Sequence, residues 1–551
     1  MSGAKKILHA AAGNVASENY WVSFYFPNVS GNNQREGFNI YGVDTDDDGN
    51  IYISGSNDQA LNFTQGNEGA RNAGFACRID IDDGDLNWWT EAKPDAGAGD
   101  DDSDYIGQLG NIFYDANNGD LLAQQFYKHR DDNDNNHYNN MGFTGAVRLN
   151  ASTGAIKSAH NFGTQVNNYY NSSSTISQMV FNNVGSSNAN NTTFVNPSDS
   201  SVIVIDPESS QGDMYLRYTW DNSNEAFTNS HWYSSVSLGG VNATYGHVKQ
   251  VFNKGTSAVY LQRKGSGNTA QSYLTEVTES TGQGSTSIKE HQNFGTNSTW
   301  GSYQGSTLVG RKSFANDSYF MMPWRLSTNN GKGKVAIFSS ASSCVRQYTF
   351  EDDDYPRHDS FLTCIDSSGY KHYIFSYVRD GAGSNGRMRI YEMEQDGSLA
   401  NCIEITQTTN NWDNGNPGIF SYPQIFLVTG DTLYLGNMAI LANDPTGAGP
   451  RRYILLFKLP KDLSAISTTA QTVEPTVHGG TKATLVIQRV TANVTIADNG
   501  TSFTNVFTRS GGSSGTSNTA RTFYNETTDG AKQDTATYTS SLGGGPVDIE
   551  A

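Results

Sequence analysis

Three aspartates in one short turn are the residues most directly suited to chemistry. Asp44, Asp46 and Asp48 alternate in the stretch DTDDDG. This spacing places carboxylates at positions 1, 3 and 5, and glycine at position 6, of an EF-hand-like calcium loop. Position 12, where a bidentate glutamate is required, is Gly55, and a β-like run rather than a helix follows the turn. The pattern favours a hairpin turn, in which Asp and Gly adopt positive φ at low cost. A surface Ca²⁺ site at the three aspartates is the alternative, and no other cofactor is predicted.

Catalytic constellations are not evident in the sequence. Glycoside cleavage needs two carboxyl groups that converge in a cleft, but the acids here lie in turn-like clusters. The chain contains no S-x-D-x-G-x-T-W box of sialidase propellers, no G-x-S-x-G, no H-E-x-x-H and no P-loop. We therefore expect a protein that is not an enzyme. A glycan-active depolymerase remains the alternative function.

Aromatic and Asn-rich stretches favour a second alternative, a lectin. Asn167–Tyr170, Tyr138 and Asn410–Trp412 combine rings that could stack on sugars with amides that could hydrogen-bond to hydroxyls. A host-surface glycan or receptor is therefore a candidate partner. Aromatic residues in β-rich repeats are also typical of the core, and that interpretation stays open for these stretches.

Charge and apolar content exclude several other partners. The net charge of the 551-residue chain is −19, and no basic stripe is available to neutralise phosphates, which argues against nucleic acid as a partner. No run of 18 apolar residues is present, so we expect no membrane insertion. The four cysteines (Cys77, Cys344, Cys364 and Cys402) lie apart in apolar runs, which predicts buried free thiols rather than a zinc site.

The elements that would hold any such site repeat along the chain. Residues 41–92 and 106–160 each read as two apolar runs joined by an Asp/Asn/Gly turn, a long polar gap, and two further runs joined by a turn. The polar gap also has a similar length in the two repeats, since Gly42 to Phe75 spans 33 residues and Gly107 to Phe143 spans 36. Four short strands per period of about 40–55 residues predict an all-β fold, a β-propeller of four-stranded blades.

The blade count follows from continuing this division. Seven blades are predicted, with six or eight as alternatives. Their ranges are 38–92, 104–162, 175–236, 243–294, 303–350, 358–407 and 422–470.

A displaced strand precedes the first blade. The segment NYWVSFYFPN matches the slot of a fourth strand, whereas SAISTTA at the end of blade seven is weak. An N-terminal strand that completes the last blade would close the ring and remove an exposed edge. Tyr20, Trp21 and Phe24 are therefore the candidate ring-closure residues. A strand added to a neighbouring protein is the other interpretation.

The character of the chain changes after residue 470. Two β-like stretches, ATLVIQRVTANVTIADNG and TSFTNVFTRS, precede a Gly/Ser/Thr-rich region with little core of its own. Such a region cannot offset its ordering entropy alone, so we expect it to be held by neighbours in an assembly of several copies. The predicted domains are 1–18, an N-terminal peptide; 19–470, the propeller; and 471–551, a β-rich assembly tail.

The N-terminus resembles that of a known group of proteins. Residues 5–14, KKILHAAAGN, are similar to the KKLLQAAAGN start of virion proteins of marine tailed phages, notably cyanophages, although His9 stands where glutamine is usual. The phrases GVDTDDDGNIYISGS and ACRIDIDDGDLNWW resemble the propeller repeats of such proteins. The resemblance implies a non-enzymatic virion protein, a tail fibre, adhesin, or tail- or capsid-associated protein, bound to other virion proteins through its termini. The candidate docking residues are Lys5, Lys6, Ile7, Leu8, Ala11 and Asn14.

Overall fold

The computed structural model describes the strands of this chain and the turns next to them. The described residues are 21–27, 38–46, 48–57, 74–80, 84–93, 105–129, 142–161, 193–196, 201–206, 214–221, 223, 226–235, 247–254, 257–264, 271–279, 286–292, 315–316, 319–325, 333–340, 343–350, 357–366, 371–379, 386–394, 396–407, 420–441, 451–473, 485–498, 504–509, 512–517, 532–534 and 538–542.

Up to residue 460 the described strands form seven antiparallel sheets. The first described strand, β1 (Trp21–Pro27), belongs to sheet 7. Sheet 1 contains β2 (Phe38–Thr45), β3 (Ile51–Asn57), β4 (Gly74–Ile79) and β5 (Leu86–Lys93). Sheet 2 contains β6 (Tyr105–Asp115), β7 (Asp120–His129), β8 (Gly142–Asn150) and β9 (Ile156–Asn161). Sheet 3 contains β10 (Thr193–Asn196), β11 (Ser201–Asp206), β12 (Met214–Asp221) and β13 (Ala226–Ser235). Sheet 4 contains β14 (His247–Lys254), β15 (Ser257–Lys264), β16 (Gln271–Glu279) and β17 (Thr286–Gln292).

The remaining three sheets follow the same plan. Sheet 5 contains β18 (Ala315–Asn316), β19 (Tyr319–Arg325), β20 (Gly333–Ser340) and β21 (Ser343–Phe350). Sheet 6 contains β22 (Arg357–Asp366), β23 (Lys371–Arg379), β24 (Gly386–Met393) and β25 (Leu399–Gln407). Sheet 7 contains β26 (Phe420–Thr429), β27 (Thr432–Leu441) and β28 (Arg451–Pro460), and its fourth strand is β1. The all-β prediction is confirmed. Between Phe38 and Pro460, each predicted repeat range holds the strands of one sheet to within two residues at either end, and β1, the fourth strand of sheet 7, lies before the first range.

The C-terminal strands lie on these same sheets. A 3-10 helix (Leu463–Ala465) is followed by β29 (Gln471–Val473), β30 (Leu485–Val490), β31 (Val494–Asp498), β32 (Thr504–Arg509), β33 (Gly512–Ser517), β34 (Lys532–Asp534) and β35 (Tyr538–Leu542). β30 pairs with β25 of sheet 6 and, on its other edge, with β29. The next three strands extend sheets 5, 4 and 3: β31 pairs with β21, β32 with β17 and β33 with β13. The last two extend sheets 1 and 7: β34 pairs with β5, and β35 pairs with β1.

Adjacent sheets contact one another along their first strands. The first strand of each sheet contacts the first strand of the next, and β26 of sheet 7 contacts β2 of sheet 1. In sheets 1, 2, 6 and 7, apolar residues that alternate along the strands supply the buried faces. Buried clusters lie between sheets 1 and 2 (Tyr52, Leu109, Val147), 5 and 6 (Phe350, Tyr391), 6 and 7 (Phe375, Phe426, Leu455), and 7 and 1 (Ile40, Ile53, Leu456).

Two glycines show how closely sheets 1 and 2 approach. A Cβ at Gly42 of β2 would lie 2.5 Å from the backbone N of Ile112, so only hydrogen fits there. Gly154, in the turn between β8 and β9, has φ +71° and lies against the Trp88 ring. Both positions therefore need glycine, the first for space and the second for space and backbone conformation.

One predicted strand differs from the structure. SAISTTA is not a strand: it overlaps the 3-10 helix Leu463–Ala465, whose N-terminus is capped by the Asp462 side chain. The cap satisfies a backbone N–H that would otherwise lack an intrahelical partner.

Candidate functional sites

The predicted docking peptide lies outside the described residues. This applies to Lys5, Lys6, Ile7, Leu8, Ala11 and Asn14, and also to Tyr20 of the ring-closure set. Their role stays a prediction. The aromatic stretches Asn167–Tyr170 and Asn410–Trp412, and Tyr138, also lie outside the described part.

The other two ring-closure candidates lie in β1, an internal strand of sheet 7. Trp21 pairs with Lys458 and Phe24 with Leu455 of β28. On its other edge β1 pairs with β35, and Ser23 lies opposite Leu542. The N-terminal strand thus occupies the fourth position of sheet 7, and both of its edges are paired.

The aspartate turn between β2 and β3 is built from hydrogen bonds to its own carboxylates. The backbone N–H and the Nδ2 of Asn50 donate to Asp46 at 2.9 and 2.7 Å, and the Tyr52 hydroxyl donates to Asp46 Oδ2 at 2.8 Å. Asp44 is buried, and its Oδ2 accepts the Tyr114 N–H of sheet 2 at 2.6 Å. Burial and the bond to Asp46 raise the pKa of the Tyr52 hydroxyl.

These contacts give two of the three aspartates a structural role. Asp46 holds the hairpin turn, and Asp44 joins sheet 1 to sheet 2, whereas Asp48 is exposed. Within the described ranges, no group of three or more His, Cys, Asp or Glu side chains is placed to hold a metal ion. The hairpin-turn interpretation accounts for the described contacts, and the calcium interpretation stays a prediction.

Sheet 2 contains a buried charge cluster that was not predicted from the sequence. The fully buried Arg148 of β8 donates through Nε to Asp120 Oδ2 and through Nη2 to Asp115 Oδ2, both at 2.8 Å. Lys157 Nζ lies 2.7 Å from Asp120 Oδ1. The two repeats offered one indication of this cluster. Arg148 in AVRLN stands at the same repeat position as Arg78 in ACRID, so an arginine recurs within an apolar strand.

A second charge cluster links sheet 6 to the end of sheet 7. The buried Glu392 carboxylate contacts Lys371 Nζ and accepts from Asn401 Nδ2 at 2.8 Å and from the Leu463 N–H at 3.3 Å. The Tyr373 hydroxyl donates to the Lys461 carbonyl at 3.1 Å. The contacts with Glu392 raise the pKa of Lys371 against an opposing effect of burial. Polar and apolar contacts together fix where the chain leaves β28 for its C-terminal strands.

Three of the four cysteines predicted to be buried free thiols are so in the structure: Cys77, Cys364 and Cys402 are free and buried. Burial raises the pKa of Cys77 and brings that of Cys402 to about 12. Cys77 and Cys402 are therefore protonated at neutral pH and unsuited to act as nucleophiles.

Both ends of the described chain lie at the same end of sheet 7. β28 reaches Pro460 beside the tight turn between β26 and β27, where Pro460 pairs with Thr432. Because Trp21 pairs with Lys458 and Leu542 with Ser23, β1 begins and β35 finishes at that end. Sheets 1 and 2 also meet at their turn ends. The Trp88 Nε1 of β5 donates to the Ala151 carbonyl in the turn between β8 and β9 at 3.0 Å.

Comparisons with known proteins give structural likeness alone. No protein-family model matches the chain, and a search of curated proteins finds no match. The NanB sialidase of Streptococcus pneumoniae is 9% identical, with a TM-score of 0.38 over 79% of this chain and 70% of that one. An acylaminoacyl peptidase of Pyrococcus horikoshii is 7% identical, with a TM-score of 0.34 over 84% and 57%. An exo-β-1,3-galactanase of Clostridium thermocellum is 9% identical, with a TM-score of 0.21 over 84% and 96%.

These likenesses assign no activity to the chain. All three TM-scores are below 0.5 and all three identities are below 25%. Among the described residues, no helix has the length and apolarity to span a membrane.

Proposed function

We propose that this chain is a non-enzymatic virion protein of a tailed phage, in which a closed seven-bladed propeller is displayed on the particle and anchored through its termini. The seven sheets are its blades, and β1 completes the last one. The propeller serves as a tail fibre or adhesin, or as a tail- or capsid-associated protein.

The shared position of the start of β1 and the end of β35 carries this proposal. β1 begins and β35 finishes at the turn end of sheet 7. Anchoring segments joined to these two strands would therefore start from one place on the propeller. The longer connections between second and third strands, such as residues 58–73 and 130–141, leave from the opposite ends of their sheets. A propeller anchored at the turn end would present those connections outward, where loops are typical binding elements.

The sequence of the first segment supports a docking role. Lys5 and Lys6 precede a short stretch with an alanine face, which suits a helix lying in a groove of a partner. This segment also carries the resemblance to phage virion proteins. The acidic chain, whose net charge as a whole is −19, opposes nonspecific adsorption to the DNA inside the particle.

Rebinding to virions tests this function. Purified full-length protein is cosedimented with virions depleted of it, beside a variant lacking residues 1–14 and a variant in which those residues are scrambled. The proposal predicts that the full-length protein sediments with the particles and that neither variant does. The scrambled variant keeps the length and charge of the segment, so it separates specific docking from charge attraction.

Two other outcomes would change the account. Equal binding of all three proteins would move the anchor to the C-terminal residues or the propeller surface. Binding by none of them, together with release of sugars from host polysaccharide, would overturn the virion proposal in favour of a depolymerase.

A further inference from the structure

We infer that residues 485–542 form a belt around the outer edges of the sheets, and that this belt sets the rate at which the propeller opens. The belt is defined as β30 to β35. This inference concerns the isolated chain and does not depend on a virion.

The order of the belt strands is the first observation. β30 pairs with sheet 6, β31 with sheet 5, β32 with sheet 4 and β33 with sheet 3; β34 and β35 then pair with sheets 1 and 7. From sheet 6 to sheet 3 the belt therefore passes the sheets in the reverse of their chain order. Among the described strands none of the belt lies on sheet 2, and the belt continues on sheet 1 and then on sheet 7. The links 491–493, 510–511 and 535–537 are so short that each can reach the neighbouring sheet only, at roughly 3.5 Å per residue.

Each short link gives a boundary between sheets a second covalent crossing. The first crossing is the ordinary connection between consecutive sheets. At the boundary between sheets 3 and 4, the first crossing runs from β13 to β14 and the second from β33 to β32. While β33 stays paired with β13 and β32 with β17, the two sheets stay joined at their outer edges by a link of two residues. Separating these sheets therefore requires at least one of the two belt pairings to break.

The belt begins with an apolar anchor, and its strand β33 has no large apolar side chain. Leu485 and Ile487 of β30 are fully buried in the core between sheets 6 and 7. In contrast, β33 has the sequence GSSGTS and yet pairs with β13 over six residues, from Ser230 to Ser235. A net backbone hydrogen bond contributes about 0.5–1.5 kcal/mol, so strands of this kind need a preformed edge and a high effective concentration.

The order of events follows from this composition. β30 and β31 dock with the core of their sheets, and β32 to β35 are added onto edges that the folded sheets already provide. Interactions that form after the folding transition state slow unfolding and leave the folding rate nearly unchanged. The belt strands beyond Asp498 therefore slow unfolding and so increase the kinetic stability of the chain.

Unfolding kinetics of a shortened chain test this inference. A variant truncated after Asp498 retains β30 and β31 and lacks β32 to β35. Denaturant-jump experiments followed by tryptophan fluorescence are expected to show unfolding at least about tenfold faster than in the full chain, and refolding unchanged within about twofold. An unfolding rate within twofold of the full chain would overturn the inference. A refolding rate constant lowered by the same factor as the equilibrium constant of folding would also overturn the inference. In that case the belt would already be formed in the folding transition state.

A cleavable full-length variant keeps the test decisive if the truncated chain fails to fold. A protease site is inserted between residues 518 and 531, and the folded protein is cut there. The cut protein is expected to keep its circular dichroism spectrum and to unfold faster than the uncut protein of identical sequence. Equal unfolding rates before and after cutting would show that continuity of the belt does not control opening.

Discussion

Replacing Arg148 by methionine is expected to cost more stability than any single change on the surface of sheet 2. Arg148 is fully buried, and the side chains of its partners Asp115 and Asp120 are only 2% and 4% exposed. Methionine approximates the arginine stem but supplies no charge. The variant therefore leaves two carboxylates buried without the guanidinium that lies within 2.8 Å of both.

The expected loss in the free energy of unfolding is that of removing one partner from a buried ion pair. Such a change costs about 3–5 kcal/mol, because the remaining charge stays desolvated. The matched control is Lys157→Met, since Lys157 also contacts Asp120 but its side chain is 27% exposed. Solvent screens that pair, and about 0–1 kcal/mol is expected.

Denaturant titration of the three proteins measures this difference. Wild type, Arg148→Met and Lys157→Met are unfolded in urea and followed by circular dichroism and fluorescence. A loss in Arg148→Met no larger than in Lys157→Met would refute the reasoning. The triple variant with Asp115→Asn and Asp120→Asn is expected to recover part of the loss, because it removes the unpaired charges and keeps an acceptor oxygen at each site.

Further substitutions probe two turns and a partly buried histidine. Gly119 and Gly154 both have positive φ, but a Cβ at Gly119 meets nothing within 4 Å, whereas at Gly154 it would lie 2.5 Å from Trp88. Gly119→Ala is expected to cost about 1 kcal/mol and Gly154→Ala about 1–3 kcal/mol more in the same urea titration; equal losses would contradict the packing argument. Burial and the nearby Arg346 charge lower the pKa of His372 from 6.5 to about 4. Because the unfolded chain then binds more protons between these values, stability falls as the pH drops from 6.5 towards 4, by about 3 kcal/mol at pH 4. His372→Gln is expected to flatten this dependence in urea titrations across the window, and an unchanged slope would contradict it.

Strands with apolar side chains were predictable from the sequence. The four-strand units of sheets 1 and 2 follow from alternating apolar residues and Asp/Gly turns, and β1 lies within the predicted segment NYWVSFYFPN. These features are local, because side-chain pattern and turn chemistry both reside within ten residues.

The belt was not predictable in the same way. β33 and β35 contain mainly Gly, Ser and Thr, so neither strand shows the alternating apolar residues by which a strand is predicted. They pair with β13 and β1 through the backbone. The Arg148 cluster was also missed, because its two carboxylates come from turns whose acids have an ordinary local explanation. Only the register of β6, β7 and β8 brings them to one buried guanidinium.

Cross-linking mass spectrometry on purified virions tests the proposed function most directly. A lysine-reactive reagent is applied to intact particles of the phage that encodes this chain. The account predicts cross-links from Lys5 or Lys6 to a different virion protein. Absence of the chain from purified particles, or cross-links from these two lysines to its own propeller alone, would contradict it.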